Sequence, residues 1–470
     1  MSSISGILSV ARSALLAHQA AMEVTGHNIA NAETPGYTRQ SLLLGQSDPR
    51  RMTYGTFGTG VRVSTVGRAR EALLDQDVRS QLAPSAQART RRDMLQRVER
   101  VFGEPSPSGL AASMDAFWNS WSDLAAQPNN AGARTVVRQR AEALTERLHT
   151  YSRELQNLDT NARAQARQTV TNVNRLSEEI ARVNGQVVSA EAGGHSANDL
   201  RDARDRLLDQ LGTLVPITVI DRTDGSSQVM LGGRPLVDGS NSTTLELTVT
   251  LPLEVRVAGE ATALRTMGGE LGGIIELVNV DLATTRTALD DIARALVTDV
   301  NAIHRTGWSS TAGGAGNWDP LAGPTGSFVN FFSTDPMHAT AGGIRLSDAV
   351  RNDIGAIAVG STLNATGDNS MALAIAELRE SSPSALGGSL SGAFQALIAD
   401  LAGATRAAAD ATEVRTTLTQ QAQARRDSTS GVSTDEELMR LMRHQQAYAA
   451  AAKVVQTVDE MMETLIGLKR

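Results

Sequence analysis

The densest grouping of side chains able to do chemistry is the run Asn198-Asp199-Leu200-Arg201-Asp202 to Asp205-Arg206. Carboxylates so close together are the raw material of acid–base catalysis. The interleaved arginines favour another reading, a solvated or salt-bridged helical face. The seven histidines (His18, His27, His149, His195, His304, His338 and His444) are scattered along the chain. Cysteine is absent, which removes a thiol nucleophile, a disulfide framework and a cysteine-ligated metal site. There is no Gly-x-x-x-x-Gly-Lys phosphate loop, His-Glu-x-x-His zinc helix or Gly-x-Ser-x-Gly elbow. Gly232-Gly233 and Gly313-Gly314 lack the strand and helix that a phosphate-binding loop needs. The expectation is a protein without catalytic residues, cofactor or metal, whose functional side chains are contacts.

The two ends of the chain show where such contacts would lie. At the start, Ile4, Ala11, His18 and Thr25 interleave with Leu8, Leu15, Met22 and Ile29. At the finish, Leu441, Tyr448, Val455 and Met462 interleave with His444, Ala451, Val458 and Leu465. Heptad spacing of this kind puts one narrow apolar stripe on a helix and calls for a partner helix. A lone helix of this size is marginal, so the expectation is disorder in the free subunit and order on association. The competing reading is a pair of ordinary bundle helices packed on the body.

Both seams are punctuated. In Asn28-Ile29-Ala30-Asn31-Ala32-Glu33-Thr34-Pro35-Gly36-Tyr37-Thr38-Arg39-Gln40, Pro35 stops the helix and Pro35-Gly36 suits the central positions of a type II turn. Ahead of the last seam, Ser433 and Glu436 are spaced as a capping box, with acidic residues against the helix dipole.

The run Asn28 to Gln40, with Asn31, Pro35, Gly36 and Tyr37 within it, is similar to the amino-terminal signature of bacterial flagellar axial proteins. Gln445-Gln446-Ala447-Tyr448 and Lys453 to Thr457 resemble their carboxy-terminal signature. The Tyr37-Thr38-Arg39-Gln40 ending, the Ser430 to Glu437 run, Leu289 to Gly307 and Gly367-Asp368-Asn369 resemble most closely the hook-associated family that joins hook to filament. The resemblance implies a structural subunit that self-associates in a ring or helical layer. It also implies neighbours, namely hook protein and hook-associated protein 3, and uncleaved type III export to the bacterial surface. A cytoplasmic export chaperone would bind the last helix at Leu441, Tyr448, Val455 and Met462. The assembly interface it implies is Ile4, Leu8, Leu15, Met22, Ile29, Asn31, Pro35, Gly36, Tyr37, Leu441, Tyr448, Val455, Val458, Met462 and Leu465. The alternatives are another axial protein, of hook or rod, and a non-enzymatic secreted binding module whose terminal helices close its own bundle.

Between the ends, Val137 to Val187 alternates apolar residues three and four apart with one extra four-residue step, a stutter, and predicts a helix over 134–187. Helices are predicted over 90–101, 274–304 and 394–426, the last with Leu397, Leu401, Val414 and Leu418 inward. Trp118 and Trp121 are read as core anchors. Asp224-Gly225 sits between two strand-like runs, and Leu245 to Val257 alternates as a single strand that Pro252 bends or places at an edge. Residues 309–326 read as a loop. The fold expected is mainly α with a β-containing insert: a coiled-coil core of terminal helices, a long-helix rod-shaped bundle and a small β-rich outer domain. The expected divisions are an amino-terminal core segment 1–50, rod 51–212, middle region 213–370, returning rod helices 371–429 and a carboxy-terminal core helix 430–470.

With 44 basic and 51 acidic side chains, the net charge of −7 argues against a nucleic-acid partner. No apolar run is long enough to span a bilayer. Arg12, His18 and Glu23 interrupt the first 30 residues, so no cleavable secretory signal is expected.

Overall fold

The computed structural model describes residues 2–52, 55–194, 196–264, 268–309, 318–319, 323–324, 329–362, 365, 367–380 and 388–467. Helix α1 (Ser2–Ala30) leads into an antiparallel hairpin, β1 (Gln40–Gln46) with β4 (Val61–Arg68). That hairpin is tipped by a two-stranded ribbon, β2 (Arg50–Met52) and β3 (Gly55–Phe57). Four helices follow: α2 (Ala72–Phe102), α3 (Leu110–Ala126), α4 (Ala131–Glu191) and α5 (Asn198–Leu214). The β-rich insert comes next. It holds β5 (Ile217–Asp221), β6 (Ser227–Leu231), β7 (Arg234–Asp238) and β8 (Asn241–Ser242) as a four-stranded meander. A three-stranded sheet pairs β10 (Val255–Val257) between β9 (Leu245–Leu247) and β11 (Ala263–Leu264). The chain then runs through α6 (Gly269–Glu276), a π-type turn (Leu277–Asp281) and α7 (Leu282–His304). It returns by the short helices α8 (Asp348–Asn352) and α9 (Ser370–Glu377), then α10 (Leu390–Ser430) and α11 (Thr434–Gly467).

Helix α4 is the spine. Asn130 caps it, its side chain accepting from Gly132 N at 2.8 Å and Ala133 N at 3.3 Å. No proline interrupts its 61 residues, which at 1.5 Å each span about 90 Å. Val137, Ala141, Leu144, Leu148, Tyr151, Leu155 and Ala162 are buried, and after the stutter Ala166, Val173, Ile180 and Val187 take over on the same face.

Three expectations are corrected. Helix α2 starts at Ala72, well before residue 90, and runs through Pro84. Its first half, which buries Asp75, Val78, Ala83 and Ser85, packs on α10, whose own lower half buries Thr405, Ala408, Thr412, Thr419 and Ala422. Such small, partly polar surfaces leave no apolar stripe to read. Each of those three threonines returns its hydroxyl to the carbonyl four residues back. In α10, Leu397 and Leu401 face inward as expected, but Val414 and Leu418 are exposed. Finally, Leu245 to Val257 is two strands: Leu245 pairs with Val257 and Leu247 with Val255, and the chain folds back between them. Most of the loop expected over 309–326 lies outside the described residues.

Although only 3% of the chain is aromatic, five aromatic side chains gather in one cluster. Phe117, Trp118, Trp121, Phe331 and Phe332 are all fully buried against one another, while Phe394, also buried, packs on Phe102. His304 closes the last turn of α7 beside them. Its Nδ1 lies 2.7 Å from the Val329 carbonyl and its Nε2 accepts from Ala358 N at 2.9 Å. This pattern fixes a neutral ring with its proton on Nδ1. Burial lowers its pKa to about 4, even though the Val329 carbonyl pulls the other way. Above the unfolded value near 6.5 the ring is neutral folded or unfolded. Between 6.5 and 4 only the unfolded chain gains the proton, so stability falls as pH falls, by about 1.4 kcal/mol per pH unit. Denaturant midpoints at several pH values between 7.5 and 4.5 should show this slope, and His304→Gln should flatten it.

Candidate functional site

Helices α1 and α11 lie antiparallel: His18 Nδ1 is 3.3 Å from His444 Nδ1, and Asn28 Nδ2 donates to Glu437 Oε2 at 2.8 Å. On the α1 side the closed surface is made by Ala11, Ala17, Ala21, Thr25 and Asn28, all buried. These small side chains let the helices and the β1–β4 hairpin approach closely. Among the described side chains of α11, Glu437 and Val458 are the buried ones. The stripe Leu8, Leu15, Met22 and Ile29 therefore runs beside the seam: Leu8 is exposed and the other three are half-buried.

The remaining residues expected at an assembly interface fall into three groups. Ile4, Asn31, Tyr37, Leu441 and Val455 are half-buried. Pro35, Gly36, Tyr448 and Met462 are exposed, and Val458 is buried. The Leu465 side chain is outside the described residues. Further large apolar groups that the heptad reading left out are also exposed, including Leu16 at 57% and Ile466 at 65%, with Ile7, Met439, Met442 and Met461. Terminal pairing thus covers one side of each helix and leaves apolar surface on the others.

Where the pair meets the body, Asn28 holds three segments. Besides Glu437 it donates to the Gln40 carbonyl at 2.8 Å, and its Oδ1 accepts from Gln40 N at 2.9 Å and from the Tyr37 hydroxyl at 2.8 Å. Burial, reinforced by the charges of Asp199, Asp202 and Glu437, holds the Tyr37 phenol above its ordinary pKa and so protonated to donate. The turn that aims Tyr37 is the expected one: Tyr37 N bonds to the Thr34 carbonyl at 3.1 Å, with Gly36 at φ +73°. A Cβ on Gly36 would also stand 2.4 Å from Arg206 Cγ. Ser433 caps α11 through Glu436 N at 3.5 Å, while the Glu436 carboxylate turns to Arg39 at 3.6 Å. Arg39 N bonds to the Ser430 carbonyl at 2.9 Å, tying together the outgoing and returning chains.

Beneath this lies the acidic face of α5, and of the two forms expected for it, solvated or salt-bridged, the structure shows the salt-bridged one, buried. Asp202, Arg204 and Asp205 are buried. Asp202 accepts from Thr38 N at 3.0 Å and from Arg68 at 2.7 Å. Asp205 is bound by Arg68 at 2.8 Å, Arg79 at 3.0 Å and Arg70, which also holds Asp75. Asp209 joins Arg79 at 3.0 Å to Arg426 of α10 at 2.7 Å. Burial pushes the Asp205 carboxyl up, but Arg70, Arg79 and Arg68 outweigh it and hold it below the ordinary carboxylate range. One signal could have found this cluster: Asn198, Asp202, Asp205 and Asp209 recur at four, three and four residues, a polar stripe with the period of a buried helix face. Among the described residues no group of three or more His, Asp or Glu side chains could hold a metal ion. What the site holds is its own chain, at the joint between terminal helices and body.

Comparison with known proteins agrees. Residues 95–317 match a family described as the flagellar hook-associated protein FlgK helical domain. Residues 8–38 match the flagella basal body rod protein family, and 423–468 match the flagellar basal body rod FlgEFG protein C-terminal family. Flagellar hook-associated protein 1 of Bacillus subtilis is 29% identical, covering 98% of this chain and 97% of that one. The Salmonella typhimurium and Escherichia coli proteins of the same name are each 24% identical, over 99% of this chain and their full length. The structure of the flagellar hook junction protein FlgK from Burkholderia pseudomallei has the same fold, with a TM-score of 0.62 at 16% identity, over 77% of this chain and all of that one. The resemblance expected from the sequence is borne out along nearly the whole chain. So is the mainly α fold with its small β insert.

Two substitutions separate the joint from the body. Asp205→Ala leaves three arginines facing a buried gap and should cost about 3–5 kcal/mol in denaturant unfolding followed by fluorescence of the buried Trp118 and Trp121. Asn28→Ala should leave that transition in place and instead speed proteolytic release of α1.

Proposed function

We propose that this relative of flagellar hook-associated protein 1 is a structural subunit of the bacterial flagellum that forms the junction between hook and filament. Its terminal helices pair to form the inner core of the assembly, with the α4 spine outside them and the β-rich insert outermost. The observation that carries this reading is the apolar surface left open on α1 and α11 after they have paired. A soluble protein gains nothing by exposing Leu8, Leu16, Tyr448, Met462 and Ile466 on two adjoining helices unless neighbours cover them. The residues that build the joint match the terminal signatures of the axial families, so the same joint that folds the chain also orients its contact surface.

The neighbours of this subunit are further copies in a ring or helical layer, hook protein on one side and hook-associated protein 3 on the other. Its role is mechanical and it catalyses nothing. No helix among the described residues is long and apolar enough to cross a membrane. Export runs through the flagellar type III apparatus without cleavage. A cytoplasmic chaperone covers the α11 surface around Leu441, Tyr448, Val455 and Met462 until then, because a groove-binding partner reads such i, i+7 anchors.

Leu8→Asp and Tyr448→Asp test the core. Each puts a charge on an exposed surface, so the purified chain should keep its unfolding midpoint within about 0.5 kcal/mol. In cells lacking the native gene, however, the variant should fail to form filaments, because assembly would desolvate the charge. Normal filaments with either variant would exclude this surface from the interface. Deleting Glu437 to Arg470 should abolish capture of the chaperone in a pull-down while α4 stays helical by circular dichroism. Capture at undiminished affinity would place the chaperone elsewhere.

A further inference from the structure

Between the root of the terminal pair, where Asn28 holds Glu437, and its free end, where Val458 is buried, two histidines face each other across the seam. His18 Nδ1 lies 3.3 Å from His444 Nδ1, with the ring centroids 5.5 Å apart and the planes tilted by 40°. Both rings are half-buried. Two nitrogens at that distance form a hydrogen bond only if one carries a proton and the other a lone pair. Neutral rings meet the condition, and one added proton is still shared between the two nitrogens. A second is not, because both nitrogens would then be donors and two cations would face each other.

The surroundings do not offset that charge. On α11, Arg440 and Arg443 add positive charge beside His444, and the nearby acid Glu437 is already bound to Arg440 at 3.1 Å and to Asn28 at 2.8 Å. On α1, Glu23 accepts from Gln19 at 3.3 Å and Arg12 is exposed. From the hairpin packed on α1, Arg62 is exposed, and Arg68 is held by Asp202 and Asp205. Burial, then the charges of His18, Arg443 and Arg440, hold the His444 imidazole below its ordinary pKa, with Glu437 pulling the other way. With the helices apart, each ring takes up its proton at the ordinary value of about 6.5. The closed seam is therefore favoured above that value, and its advantage is lost as pH falls below it through the depressed value of the closed state. Little else resists opening at this end. The other buried members of the seam beyond its root are Ala11, Ala17, Ala21, Thr25 and Val458, which offer a small apolar area.

We propose that the His18–His444 pair is a proton switch in the terminal seam, closed when the rings are neutral and splayed from the free end when both are charged, with Asn28 and Glu437 holding the root. The device belongs to the chain itself and does not rest on the flagellar role.

Because the chain contains no cysteine, two introduced thiols carry spin labels at chosen points only. Ser9→Cys on α1 and Ala452→Cys on α11 are at exposed positions on the free-end side of the histidines. In the purified full chain at pH 7.5, pulsed dipolar spectroscopy should show one short distance. Lowering the pH, as far as the fluorescence of Trp118 and Trp121 stays native, should bring in a longer population. The ratio of open to closed should grow by up to about tenfold per pH unit for each proton taken up. His444→Phe keeps a flat ring without a titrating nitrogen and should hold the short distance throughout. A parent chain that stays short at every pH, or is already broad at pH 7.5, overturns the switch. So does equal acid opening in the parent and in His444→Phe, which would put the titrating group elsewhere. If His444→Phe fails to close at pH 7.5, His18→Phe gives the same readings.

Discussion

A carboxylate taken out of water survives as an ion only if cations surround it, and Asp205 meets that condition with arginines from three separate stretches of chain. Arg68 ends the hairpin, Arg70 stands between hairpin and α2, and Arg79 lies two turns into α2. Each guanidinium must be in place before α5 can bury its acidic stripe, because the desolvation cost of a lone carboxylate is several kcal/mol. The condition therefore couples elements that share little apolar surface. Asp209 extends it to Arg426 on α10, and Asp202 extends it to Thr38. The terminal helices inherit their position from this cluster, since the chain that leaves α1 passes over it and is bonded to it.

How legible this was depended on the kind of force involved. Apolar burial with a fixed period was readable: α4 was expected over 134–187 and spans Ala131–Glu191, stutter included. The Pro35-Gly36 turn was equally plain, because only a proline and a glycine meet its two dihedral demands. Interfaces made of alanine, serine and threonine were not readable, which is why α2 was begun too late and why Val414 and Leu418 were turned inward. The same limit divided the α1 stripe: Ala11, His18 and Thr25 lie at the seam as read, while Leu8, Leu15, Met22 and Ile29 lie beside it and Ala17, Ala21 and Asn28 complete it. Sequence periodicity marks where large apolar groups lie; it does not say which neighbour they wait for.

Charged residues were legible only in part. Alternating signs in Asn198 to Arg206 pointed to a solvated or salt-bridged face, but the partners of those aspartates were arginines more than 100 residues away in the chain, visible only once folding brought them together. The residues that carry the resemblance and the residues that build the joint coincide. Asn28, Gly36 and Tyr37 carry the resemblance to axial proteins, and the structure gives each a mechanical reason to be where it is.

The length of α4 has an evolutionary consequence. Inserting or deleting a single residue in a straight helix rotates everything beyond it by about 100°, carrying the buried stripe to another face. Only steps near 7 or 11 residues return that stripe to the same side. The four-residue step from Ala162 to Ala166 bears the mark of such phase arithmetic, since with the heptad from Leu155 to Ala162 it makes an eleven-residue step. Lineages that lengthen or shorten this spine are thereby confined to a few discrete sizes.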